Sequence, residues 1–307
     1  MSYFKINTSA TAERLARQLE TCVGFRVLRC VPKPDRIWLR SMPPCAPADR
    51  LTIGVLDTET TSLDPHANEL IEIAIGKLVI DRTHGDLVDM VPPRWWLEQP
   101  SQPISEEIQV LTGLSDAILA GEVFDEDAIL AELASVDVIV AANARFDAAF
   151  LVERFPLLIG MRLPWACTVR EIDWSSYGMH GGRSVEALLT AAGLFALHRH
   201  RAGPDVWSLM NLLMRADPDG RTVAADLVDR ARRPSARIEA WGAPFAAKDQ
   251  LKAAGFSWDA VRRVWTREGE PEAIANEAAW LRSVHPLIKP IVVPVDWCTR
   301  HLPPACR

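Results

Sequence analysis

No apolar run in the 307 residues approaches the roughly 20 needed for a membrane-spanning helix. The first residues lack the apolar segment of a secretion signal. Both absences predict a soluble, cytoplasmic chain with no membrane partner. No two of the six cysteines (Cys22, Cys30, Cys45, Cys167, Cys298, Cys306) form a C-x-x-C pair, so zinc-ribbon and thioredoxin-type chemistry have no support. Reduced, mostly buried thiols are expected, with a disulfide between the distant ends as the alternative. Internal repeats and low-complexity segments are also missing, which excludes solenoids and repeat arrays.

An overall positive charge is lacking too, since the net charge is −6. Its distribution is uneven. Residues 1–50 carry nine Lys and Arg against four Asp and Glu, and residues 221–307 carry fourteen against ten. The centre holds eleven against twenty-six. An acidic middle between basic flanks suits a metal-binding core whose phosphate contacts come partly from elsewhere. A merely solvated acidic surface is the alternative, and composition alone favours it.

With 49% hydrophobic and 24% charged residues, the chain can bury a sizeable core: one substantial α/β domain plus smaller attachments. An amphipathic helix over 9–22 and short strands over 25–31 and 36–39 precede a proline-rich linker at 41–47. Apolar runs at 51–56, 69–80 and 87–97 predict consecutive strands. Helices are predicted at 105–111, 125–135, from about 148, at 184–192 and at 204–215, with a strand over 136–141. Strands followed by alternating helix and strand predict a mixed α/β sheet. After a helical segment to about 232, residues 235–285 predict strands at 238–241 and 261–266 and helices at 247–254 and 271–284. The stretch 290–307, rich in proline, predicts irregular backbone. The expected boundaries are an N-terminal extension 1–48, a main domain 49–220, a helical linker 221–233 and a small α+β C-terminal module with its tail, 234–307.

Three segments carry candidate chemistry. In Val55-Leu56-Asp57-Thr58-Glu59-Thr60-Thr61, strand alternation puts Asp57 and Glu59 on one face, about 7 Å apart. Two carboxylates at the end of an apolar strand are costly unless neutralised, and a hard divalent cation is the natural neutraliser. In the run Ala141-Ala142-Asn143-Ala144-Arg145-Phe146-Asp147, an apolar strand ends in a turn. Asn143 is suited to hold that turn by side-chain bonds to backbone, and Asp147 opens a helix. In His200-Arg201-Ala202-Gly203-Pro204-Asp205, Gly203 and Pro204 place His200 on a mobile loop and Asp205 on a first helical turn. Histidine is the side chain matched to proton transfer near neutral pH. Taken singly, each segment reads as readily as a solvated strand end, a plain helix start or a surface histidine.

The order and spacing of D-x-E, N-x-x-F-D and H-x-A-x-x-D resemble the DEDDh family of 3′→5′ exonucleases, which includes proofreading ε-type subunits and RNase T. The segments 69–74 and 111–116 resemble the family as well. The resemblance implies an RNase H-like fold with catalytic residues Asp57, Glu59, Asp147, His200 and Asp205. It further implies two Mg²⁺ or Mn²⁺ ions held by Asp57, Glu59, Asp147 and Asp205. Asp57 would bridge both ions, Glu59 and Asp205 would complete one site, and Asp147 would reach the second largely through water. His200 is expected to take a proton from the attacking water. Thr60, Leu63, Asn143 and Phe146 are expected to bind the terminal nucleotide. The chain departs from the family pattern at Ala142, where histidine is usual, at Ser62, where glycine is usual, and at Pro204. None of these removes a carboxylate or the histidine.

The whole chain also resembles stand-alone bacterial exonucleases with a C-terminal accessory module. In that module, Lys248, Lys252, Arg262, Arg263 and Arg267 interleave with Phe256, Trp258 and Trp265. They read either as a small core with solvated charges or as a single-strand-binding face. The implied substrate is the 3′ end of a single-stranded nucleic acid, DNA favoured, with a separate polymerase or repair partner for any proofreading role. RNA 3′-end trimming and a non-catalytic binding module are the alternatives.

Overall fold

The structure, a computed structural model, describes residues 10–32, 45–217, 219–260 and 262–303. Helix α1 (Ala10–Glu20) and the short strand β1 (Arg29–Cys30) come first. Three long strands follow: β2 (Arg50–Thr60), β3 (Leu70–Asp81) and β4 (Leu87–Leu97). Next are α2 (Glu106–Thr112), α3 (Asp116–Leu119), α4 (Glu126–Ala134), β5 (Val138–Ala141) and α5 (Ala144–Arg154). The middle closes with α6 (Leu157–Met161), β6 (Trp165–Cys167), α7 (Thr168–Glu171), α8 (Val185–Ala191), β7 (Leu194–Phe195), α9 (Ala202–Leu213) and α10 (Val223–Ala231). The last third holds β8 (Ser235–Trp241), α11 (Lys248–Ala253), β9 (Ser257–Asp259), β10 (Val264–Gly269), α12 (Pro271–Val284) and β11 (Lys289–Val295). Among the described residues no helix is long and apolar enough to cross a membrane.

The expected RNase H-like mixed sheet is present, in the order β4-β3-β2-β5-β6. Strands β2, β3 and β4 pair antiparallel, while β5 and β6 add parallel to β2. Because β2 is central, both its faces are covered. Leu51, Ile53 and Val55 pack with Val206, Leu209 and Met210 of α9 on one side. On the other, Leu56 packs with Ala148 and Leu151 of α5. Helix α9 lies close on the sheet because Gly76 has no side chain: a Cβ there would meet Met210 Sδ at 2.5 Å and Val206 Cγ1 at 3.1 Å. The residues expected to link the two parts carry α10, whose Val223, Leu227 and Val228 are buried in the α9 core.

The second sheet is antiparallel, in the order β11-β8-β10-β9, over a core that includes Ile238, Leu251, Phe256, Trp265 and Leu281. Here the expectation of irregular backbone after 290 fails. Strand β11 pairs with β8 along its length, carrying Pro290 and Pro294. An edge strand tolerates proline because one side of its backbone needs no partner. Strand β6 was not expected either; three apolar residues are too short a run to show a period. Helices α5 and α9 begin earlier than expected, at Ala144 and Ala202. The strand expected at 25–31 shrinks to β1, which pairs parallel with β7. The strand expected at 36–39 lies outside the described residues, as do most of the proline-rich linker and Cys306. Of the five described cysteines only Cys167 is buried, so the expectation of mostly buried thiols is corrected.

Candidate active site

Strand β2 outruns its parallel neighbour. It pairs with β5 only from Ile53 to Val55, and residues 57–60 continue past the end of β5. That overhang lets groups from both faces of the sheet meet. Asp57 and Glu59 share the face of Ile53 and Val55, under the start of α9. Thr58 points to the opposite face, where its hydroxyl donates to Asp147 Oδ1 of α5 at 2.9 Å. Asp147 is buried, 3% exposed. Asp205, in the first turns of α9, accepts from the His200 backbone N–H at 2.8 Å. Ligand atoms of Glu59, His200 and Asp205 all lie within 4.8 Å of one another, an arrangement able to hold a metal ion. Asp57 and Asp147 lie outside that trio but within its electrostatic reach.

The electrostatics are those of a site short of positive charge. Burial, then Asp147, Glu59 and Asp205, push the Asp57 carboxyl well above the usual range. Glu59 is pushed up to about 8 by burial, then Asp205, Glu72 and Asp147. Burial pushes Asp147 up to about 7 despite the Thr58 hydrogen bond. Asp205 is raised by burial against the opposing His200 N–H. Crowded carboxylates that favour protonation are what hard cations stabilise in ionised form. The donor set therefore fits a hard divalent cation.

One further acid behaves differently. Glu72 stands directly opposite Glu59 across the β2–β3 pairing and is fully buried. Like charges so placed repel. Arg201 resolves this with a two-pronged pair, Nε at 2.9 Å and Nη2 at 3.1 Å from the Glu72 carboxylate, and the Ala202 N–H donates at 3.1 Å. The residue between His200 and α9 is thereby fastened to β3. His200 itself takes a left-handed backbone, φ 55°, a conformation sparsely used outside glycine. Reading the sequence missed this fastening: Glu72 and Arg201 both lie in segments resembling the family, but their pairing spans 129 residues and leaves no local signal.

The expected nucleotide contacts fare unevenly. Thr60 is buried, and its hydroxyl donates to the Ser62 carbonyl at 2.6 Å. Leu63 is 80% exposed just beyond β2. Phe146 is half-buried, its ring 5.0 Å from that of Phe150. Asn143 is exposed at the start of α5 and makes no side-chain capping bond; only its carbonyl accepts, from the Phe146 N–H at 2.8 Å. The side-chain role expected for Asn143 in holding the turn is thus corrected, and the backbone closes the turn. Pro204 sits at the third position of α9, where an absent N–H costs little because first-turn N–H groups have no intrahelical partner.

Known proteins similar to this chain are exonucleases and DNA polymerase III components. The exonuclease family model of RNase T type matches residues 55–213. A PolC-type DNA polymerase III of Thermotoga petrophila is 29% identical over 180 residues, 54% of this chain and 12% of the relative. A DNA polymerase III subunit epsilon-like protein of Rhodobacter capsulatus is 31% identical over 180 residues, covering 56% and 24%. Exodeoxyribonuclease 10 of Escherichia coli K12 is 27% identical over 192 residues, covering 60% and 76%. The chain thus spans about one-eighth of the PolC-type relative and a quarter of the epsilon-like one.

Proposed function

The chain belongs to the exonuclease family, and on that premise we propose that it is a metal-dependent 3′→5′ exonuclease releasing nucleoside 5′-monophosphates from DNA. The observation that carries this reading is the meeting of Glu59, His200 and Asp205 within 4.8 Å, beside the half-buried Asp57 and the buried Asp147. Among the described residues the guanidinium that acts on Glu59, Arg201, is bonded twice to Glu72.

Asp57, Glu59, Asp147 and Asp205 would hold two Mg²⁺ or Mn²⁺ ions. Such ions supply charge stabilisation at the scissile phosphodiester and activation of the attacking water. The chain's own groups do the rest. A ring nitrogen of His200 accepts the proton of the attacking water. Attack at phosphorus breaks the bond to the 3′-oxygen of the preceding nucleotide, which leaves and takes up a proton from solvent to become a new 3′-hydroxyl. Asp205 orients the His200 backbone through its 2.8 Å bond, and Glu72 with Arg201 fixes the start of α9. Leu63, exposed beside the site, and Phe146 flank the terminal nucleotide, with the backbone at Thr60 and the Asn143 side chain completing the grip.

DNA is favoured by the name of the exodeoxyribonuclease relative, most of whose length the chain matches. The PolC-type and epsilon-like relatives point to a separate polymerase as partner. The test is degradation of 3′-labelled single-stranded DNA and matching RNA with Mg²⁺, Mn²⁺ or EDTA, beside Asp57→Ala. Metal-dependent mononucleotide release from DNA, lost in the variant, is expected. A preference for RNA would move the substrate to RNA 3′ ends, and no release from either polymer would leave a binding module.

A further inference from the structure

Between α5 and α7 on one side and the second sheet on the other lies a cleft of about 550 Å³. Its walls carry Arg145 of α5, Arg170 of α7, Arg237 of β8, Trp258 of β9 and Arg267 of β10. Two carboxylates, Asp259 and Glu268, also line it, but both are engaged. Asp259 accepts the Arg262 N–H at 3.0 Å, and Glu268 accepts from Ser235 Oγ at 2.6 Å and Arg300 Nε at 3.0 Å. Arg267 pairs with Glu277. Arg145 and Arg170 form no salt bridge among the described residues and are exposed.

Arg237 points most directly to a ligand. The residue is 8% exposed, and its Nε bonds Glu239 at 3.2 Å. Its Nη1 is buried and has no partner among the described residues. A buried guanidinium N–H without an acceptor is unfavourable, and a bound anion would supply the acceptor. The arginines also strain against one another. Burial, then Arg170, and further Arg237, lower the Arg145 pKa against the opposing pull of Glu268.

The cleft is fixed relative to the candidate active site. Arg145 and Ala149, four apart on α5, both line it, as helix geometry requires of one face. Asp147, two residues from Arg145 and so about 200° around the helix, faces the sheet instead. The opposite wall is clamped to the nuclease core by Arg300, whose Nη1 bonds Glu171 and the Ala231 carbonyl, each at 2.7 Å, while its Nε bonds Glu268. Trp258, 49% exposed and backed by Trp265 at 5.5 Å, offers a flat ring at the cleft.

We propose that this cleft is a phosphate-binding groove for the substrate strand behind the nucleotides being removed, with Arg145, Arg170 and Arg237 on phosphates and Trp258 stacking on a base. The inference rests on the nucleic-acid substrate of the reading above. It also reassigns the C-terminal module's basic residues: Arg262 is committed to Glu239 and Arg267 to Glu277, and the binding surface is shared with α5 and α7. Arginine and aromatic partners of this kind hold single strands without reading sequence.

The experiment uses the full chain and the double variant Arg145→Gln, Arg170→Gln, both sites being exposed, with Trp258→Ala beside it. Hydrolysis with Mg²⁺ is measured on a trinucleotide and a 20-nucleotide single strand. Anisotropy of the labelled 20-nucleotide strand is followed in EDTA across a salt series. The double variant is expected to raise KM for the long strand about tenfold, keep kcat on the trinucleotide, and flatten the slope of log affinity against log salt by about 0.7 per lost contact. An unchanged KM and salt slope, or equal losses on both substrates, overturns the groove while leaving the exonuclease reading standing. Should the wild type hydrolyse neither substrate, that reading fails by itself. The groove is then judged by the EDTA binding alone: weaker binding by the double variant supports it and equal binding overturns it.

Discussion

Two acids, the half-buried Glu59 in β2 and the buried Glu239 in β8, lie in sheets of the same chain and meet opposite fates. Burial drives both upward. At Glu239, hydrogen bonds from Arg262, Trp241 and Arg237 outweigh burial and hold the carboxyl at about 2. At Glu59 the neighbours are Asp205, Glu72 and Asp147, and the carboxyl rises to about 8. The C-terminal sheet supplies its own counter-charges; the main sheet, at its open end, gathers acids that raise one another. A buried acid with its arginines is architecture, while a cluster of acids around a histidine has the donor set of a cation site.

The largest expected effect separates the two regions by activity. Asp57→Asn should lower mononucleotide release at least about a thousandfold with little loss of fold, read by thermal melting beside the rate assay. Glu239→Ala should act in the opposite sense. It strands two guanidiniums and should cost about 3–5 kcal/mol of stability in urea denaturation. Next comes the one buried acid at the main site that does have its arginine. Glu72→Gln should lower kcat about 10–100-fold with KM nearly unchanged, because Glu72 positions His200 and α9 without touching substrate. A change in the pH profile of kcat is the reading that a purely structural role would not give.

The smallest effect concerns metal-free stability. A carboxyl raised by folding binds its proton more tightly folded than unfolded. The contribution of Glu59 is therefore fully present below about 4.5 and lost as pH rises through about 8. In EDTA, Glu59→Gln should be about 1–2 kcal/mol more stable than wild type at pH 8.5 and equal to it at pH 4. Added Mg²⁺ should reverse the order at the higher pH. If the variant is no more stable at pH 8.5, Glu59 is not the uncompensated group described here.

What could be read from the sequence follows the reach of each signal. Strands β2, β3 and β4 announce themselves as long apolar runs, and Pro271 marks the start of α12. The D-x-E pair is legible because alternation along a strand is local, and Asp147 and Asp205 because each falls in the first turn of a helix. The convergence of these side chains depends on β2 outrunning β5, and nothing in either strand alone encodes that. Strand β6 is too short to show a period, and Pro290 and Pro294 disguise β11 until β8 is there to pair with it. The Glu72–Arg201 pair and the Arg145–Arg170–Arg237 cleft join distant segments and were visible only in the fold.

We propose that the acids at the end of β2 hold divalent cations. It is tested most directly by calorimetric titration of the metal-free chain with Mn²⁺ at pH 7, in two buffers of different ionisation enthalpy. Saturable binding with release of protons is expected, because raised carboxyls must ionise to bind metal, with loss of that binding in Asp57→Asn. No saturable binding by the wild type, or equal binding by the variant, would contradict it.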